Sequence, residues 1–248
     1  MKKASSILGS CCLLLLLLCV TAQAQQQQRS KRYTLEFPED QPFAWTENGQ
    51  FFGVAINVVT KLFDTAKIAY KLQSTPLARG MADARSTEAV CVFPVQRAQS
   101  NEAEYQWISP IYITTSGLFV APGATEQFLV LSDAKKLVVG AVRGSGDAEY
   151  LKSFGFNVEE VSTQEQNVEK LLRKRIPVWA TDVLSAQYFT QKTNSKERMP
   201  REALTFRRSL ASLACHAKMP AADVAALQAA LDAMIRDGSL QKMTSEVN

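Results

Sequence analysis

A strand-and-helix alternation that runs its course and then starts afresh is the feature that most limits the folds open to this chain. Tyr33–Phe37 reads as a strand and 38–42 as a loop. From Val54, the spacing of Ile56, Val59, Leu62 and Phe63 puts apolar groups on one helical face, while Asn57, Lys61 and Asp64 face water. Residues 69–72 then read as a strand, 77–85 as a short helix, and 89–95 as a largely buried strand whose end or edge Pro94 marks. A further strand at 117–121 closes on the turn dipeptide Pro122-Gly123. The pattern then resumes with strands at 137–142, 158–161 and 178–181, and helices at 148–154, 164–173 and 183–191. Two α/β units in series follow, separated near residues 112–122, and such alternation favours sheets with helices on both faces.

The polar stretch 192–202 is loop-like, and 210–215 is one last apolar strand. Pro220 suits a first helical position, Val224, Leu227, Leu231, Met234 and Ile235 form a stripe after it, and Gly238 fits the helix end. This helical tail has no sheet of its own, so it must pack on one of the two units.

The opening residues carry Lys2 and Lys3 ahead of an apolar run at 11–20, which is shorter than the ~20 residues a bilayer span needs. The run ends in Ala22-Gln23-Ala24, so 1–24 reads as a signal peptide cleaved after Ala24, and periplasmic delivery is the expectation. Residues 25–32 form a polar, low-complexity tail expected to be disordered. Of 28 Lys and Arg, two leave with the signal, and none of the 24 Asp and Glu does, so the exported chain carries +2. That near-neutral balance, without a basic stripe, excludes a nucleic-acid partner. Three of the five cysteines also lie in the signal; Cys91 and Cys215 remain, either bridged in an oxidising compartment or buried as core thiols.

Several short motifs occur in a familiar order. They are Gln41-Pro42-Phe43-Ala44-Trp45 with Asn48-Gly49 and Gly53; Trp107-Ile108-Ser109-Pro110-Ile111-Tyr112; Val142-Arg143-Gly144-Ser145-Gly146; Val178-Trp179-Ala180-Thr181-Asp182; and Arg236-Asp237-Gly238-Ser239-Leu240. In this order the chain resembles the periplasmic solute-binding proteins of polar amino-acid ABC importers, family 3, with the type II periplasmic binding fold. The resemblance implies an α/β fold of two lobes, each a mixed sheet flanked by helices, joined by two crossing strands and closing on a ligand by hinge motion. It places lobe 1 at 33–115, a crossing strand and lobe 2 at 116–205, and the return strand with C-terminal helices packing on lobe 1 at 206–248. The hinge would lie near 115–121 and just before Leu210. Two half-sized bodies over a wet gap are expected, and one continuous sheet, or a gap lined only by apolar groups, would end the receptor reading. The implied partners are a small polar solute and an inner-membrane ABC permease; a monomer is expected, with no cofactor and no metal. The return strand lies beside the strand at 89–95 in this family, which favours pairing of Cys91 with Cys215.

An amino acid asks a cleft for a cation, hydrogen-bond donors and an anion. At the position matching the family's carboxylate-binding arginine, this sequence has Asn101, so Arg97 and Arg79 are the nearest candidates for that role. Leu77 stands where the family often has a large aromatic, and Trp45 with Phe43 could compensate. Gly144-Ser145-Gly146, at a strand-to-helix turn, could offer free N–H groups to the acidic end of the ligand, or be an ordinary capped turn. Asp182 matches the position that accepts the ligand's amino group, and an Asp there could equally cap the next helix.

No catalytic residues are assigned. The sequence has no Gly-x-Ser-x-Gly elbow, no phosphate loop and no Cys-x-x-Cys, and His216 is its only histidine. A cleft enzyme of the same fold, similar to cyclohexadienyl dehydratases, would need a carboxyl general acid, for which Glu39, Asp40 or Asp182 could serve. A periplasmic ligand sensor acting through a membrane partner is the third reading.

Overall fold

Parallel strands need a crossover to bring the chain back, and both halves of this chain supply helices for it. The computed structural model describes residues 32–193 and 199–245. The expected signal and cleavage point, almost all of the polar tail, and part of the 192–202 stretch fall outside the described residues. Lobe 1 opens with β1 (Tyr33–Phe37), a hairpin of β2 (Trp45–Glu47) and β3 (Gln50–Phe52), α1 (Val54–Ala66), β4 (Tyr70–Ser74), α2 (Leu77–Ser86) and β5 (Val90–Gln96). The chain then enters β6 (Tyr105–Val120). Lobe 2 follows with β7 (Val138–Val142), α3 (Gly146–Ser153), β8 (Asn157–Val161), α4 (Gln164–Leu172), β9 (Val178–Asp182) and α5 (Val183–Lys192). The return is β10 (Arg201–His216), and α6 (Ala221–Arg236) and α7 (Ser239–Ser245) end the chain.

β1 lies between β4 and β5, parallel to both, and β7 lies likewise between β8 and β9. β6 and β10, each 16 residues long, run antiparallel to one another from Tyr105 opposite His216 to Val120 opposite Arg201. The strand order β4-β1-β5-β10-β6-β9-β7-β8 is therefore one unbroken hydrogen-bonded ladder, where two separate sheets were expected. The continuity belongs to the two shared strands, because the packed interiors are divided except at Leu184 of α5, which joins the lobe-1 cluster. One apolar cluster joins Leu35, Phe37, Val59, Phe63, Phe93, Ile108 and Leu231 in lobe 1, while Leu118, Val139, Leu151 and Val178 form another in lobe 2. A third packs Trp179, Leu171 and Phe189 on the other lobe-2 face. α6 buries Leu227, Ala230, Leu231 and Met234 against lobe 1, as its stripe requires.

α1 starts abruptly because Gly53 adopts φ 121° and lies against the loop after β1, where a Cβ would stand 2.2 Å from the Phe43 carbonyl oxygen. That contact sets the position of Phe43, Ala44 and Trp45. Pro94, expected at a strand end or edge, instead lies inside β5 with strands on both sides. It is tolerated because β1 pairs only with Val90–Val92 and the register with β10 shifts between Ser212 and Ala214, so no ladder bond needs its missing N–H. Cys91 and Cys215 face each other across β5 and β10 with Cα atoms 4.0 Å apart, both fully buried and bonded through their sulfurs.

Candidate functional site

In open α/β sheets the crevice lies beyond the carboxyl ends of parallel strands, and here the two sets of strand ends meet in one cleft of about 960 Å³. Lobe 1 contributes the loop after β1, with Glu39, Asp40 and Phe43, then Trp45, Leu77 and Asn101. Lobe 2 contributes the turn 144–147 after β7, the turn 162–165 after β8, and Asp182 with Ser185 after β9. Tyr112, Thr114 and Ser116 from β6, and Arg207 and Ser209 from β10, form the floor, since alternate residues of a strand share one face.

The structure brings Trp45, Gly144, Ser145, Gly146 and Asp182 into the cleft. Arg79 and Arg97 are outside its lining. Arg79 is largely exposed and turns 3.5 Å toward Asp83, one helical turn on. Arg97 folds back in a two-pronged pair with Glu102 and lies over the Trp107 ring at 5.8 Å. Asn101 does line the cleft, but its amide closes the 96–101 turn onto Gln96 and Ala98.

The guanidinium within the cleft lining is Arg207, which sequence reasoning missed. It is ion-paired with Asp147 and lies 5.6 Å over the Tyr150 ring. Its Nη2 would be 3.2 Å from a Cβ at Gly146, so the glycine makes room for it. Its buried Nε has no partner among the described residues. The turn expected to offer free N–H groups is partly occupied: Gly144 N donates to Glu160, Ser145 N to the Val142 carbonyl, and the Ser145 hydroxyl accepts from Ala148 N.

Asp182 accepts from Ser185 N at 2.9 Å and caps α5, so capping and cleft exposure coexist. Burial raises its pKa above the ordinary value against the lowering effect of the Ser185 bonds, and the charge of Asp147 adds to the rise. Enclosure by the walls pushes Asp40 up to about 6, with the charge of Asp182 adding to it. The Tyr112 hydroxyl is raised too, by burial and then by both carboxylates. A raised carboxyl pKa means the folded state holds its proton more tightly than the unfolded chain. The stability this gives is lost as pH rises from about 4 to about 6. Asp40 keeps solvent-reached surface, so screening reduces the cost of its charge to about 1 kcal/mol. Asp40→Asn should therefore melt about 2–4 °C above the parent at pH 7.5, and the gap should close toward pH 4 in thermal scans. A constant gap at both pH values would contradict the assignment.

No family model matches the chain, and no curated protein matches it in sequence. Solved structures do. The lysine-complexed putative ABC-transporter binding component from Wolinella succinogenes superposes with TM-score 0.69 at 14% identity, covering 86% of this chain and 94% of that one. An ancestral arginine-binding protein bound to arginine gives 0.65 at 15%, covering 88% and 99%. A histidine kinase sensor domain similar to periplasmic binding proteins gives 0.68 at 12%, covering 89% and 97%. The chain has the periplasmic-binding-protein fold. Within that fold, the cleft just described lies where the two lobes of a periplasmic binding protein face each other. Among the described residues no helix is long and apolar enough to cross a membrane.

Proposed function

We propose that this protein is the periplasmic solute-binding component of an ABC importer, taking a small polar solute that carries a protonated amine. The observation that carries the reading is Asp182: its carboxyl stands in the cleft at the end of β9, without a cationic partner among the described residues. The solute's amine would supply that partner, and closure about the two crossing strands would enclose it for delivery to a permease. Structural neighbours that bind amino acids support this reading. The test is a thermal-shift panel of amino acids, polyamines and small carboxylic acids. A ligand at a hundred times its Kd stabilises by about 2.7 kcal/mol, which is about 5–10 °C here. A panel without a shift would reject the reading.

A dehydratase-like reading draws on Asp40, whose pKa of about 6 suits a general acid. Charge opposes it. A prephenate-type dianion would enter a cleft where the lining guanidinium is already paired with Asp147. Prephenate turnover by the purified protein would reverse that preference. The sensor-domain neighbour supports a sensing variant in which a membrane partner reads the closed state.

A further inference from the structure

Charge accounting around the cleft carries the proposed function further and rests on it. Among the described residues, five acidic side chains line the cleft, Glu39, Asp40, Asp147, Glu165 and Asp182, against one cation, Arg207. Three of the five are satisfied within the protein. Glu39 accepts from the Thr46 amide and hydroxyl at 2.8 and 2.9 Å, Glu165 pairs with Lys192 at 2.8 Å, and Asp147 pairs with Arg207. Asp40 and Asp182 remain without an ion pair among the described residues, one on each lobe. The charge of Asp182 acts on Asp40, and both act on Tyr112, which lines the same cleft.

We propose that the solute is an α,ω-dication, with one protonated amine or guanidine group on Asp182 and a second, at its other end, on Asp40. Phe43, Trp45, Tyr112 and Phe189 supply aromatic surface in the same walls, and ring faces attract organic cations. A divalent metal suits the pair poorly, because hard ions want about six oxygen ligands, and among the described residues no three His, Cys, Asp or Glu gather. An acidic solute would add charge of the sign the cleft already has in excess.

Among the wall residues, Trp45 Nε1, Arg207 Nε and Thr114 Oγ1 are buried without a partner among the described residues. A diamino acid and a bare diamine both supply the dication.

Calorimetric titration of the purified protein with cadaverine, spermidine, lysine, ornithine, norleucine, pentylamine and glutamate tests the assignment. Lysine or ornithine should bind at least ~30-fold tighter than norleucine, their single-amine counterpart. Cadaverine should exceed pentylamine by a similar factor. In Asp40→Asn, each of these ratios should fall about tenfold. Diamines binding as tightly as diamino acids would name polyamines as the source, and the reverse would name diamino acids; either supports the dication. Norleucine or glutamate binding as tightly as lysine, or ratios unchanged in Asp40→Asn, would overturn it while leaving a solute-binding protein. Binding of none of the seven, and no shift in the wider thermal panel, would remove both readings.

Discussion

Replacing both Cys91 and Cys215 by alanine should lower the melting temperature by about 10–20 °C. The bridge joins residues 124 apart, and a cross-link closing so long a loop removes about 4–5 kcal/mol of denatured-state freedom in the chain-entropy account. For a chain of this size each kcal/mol moves the midpoint by about 2–4 °C. Both residues lie in the lobe-1 core, on the side of the β5–β10 pair away from lobe 2, so folded double variant should keep its ligand affinity. Differential scanning calorimetry of the variant beside the parent checks the first part, and titration below the lowered midpoint checks the second. A midpoint within 3 °C of the parent's would show that the strands need no fastening.

Asp182→Asn should weaken the best amine-bearing ligand by about 10²-fold or more while leaving the fold nearly untouched. Removing one charge of an enclosed, hydrogen-bonded pair costs ~2–5 kcal/mol of binding. Asparagine caps helices about as well as aspartate, so the bond from Ser185 N can persist. The variant should also bring Asp40 down toward its ordinary pKa, because Asp182's charge contributes to the rise. Titration calorimetry reads the first effect and carboxyl NMR the second. Unchanged affinity would remove Asp182 from the site, whatever the NMR shows.

How far these features could be read from residues alone depended on how apolar each segment was. The buried strand β7 shows as a continuous apolar run, β1 as the alternation Tyr33, Leu35, Phe37, and α1 and α6 as stripes, so they were legible. The lobe-2 half of β10 was not. Arg201–Leu210 mixes exposed and half-buried positions and contains three arginines, so 201–202 read as loop and 203–209 carried no strand signal. Arg207 was hidden for that reason, and with Asn101 at the family's arginine position attention fell on the nearest substitutes, Arg79 and Arg97, which turn to Asp83 and Glu102. The β2–β3 hairpin escaped similarly: its strands are three residues each, although Asn48 and Gly49, both at positive φ, carried its turn signal. Asp182 was singled out through the family resemblance, which places an amine-accepting carboxylate there; the strand-end pattern alone suggested only a helix cap. Asp40 was visible as a carboxyl, but its unpaired state depends on what Thr46, Lys192 and Arg207 do elsewhere in the cleft.

The β6–β10 ribbon runs from one lobe to the other, with its register shifting at three places, the last between Ala211 and Leu213. Strand pairs twist readily, and such irregular points are where a ribbon would bend if the lobes move as proposed. Arg207 of β10 is ion-paired with Asp147 of lobe 2, whereas Asp40 belongs to lobe 1 and Asp182 to lobe 2. If the lobes close as proposed, the repulsion of those two carboxylates would oppose closure, and a dication bound between them would offset it.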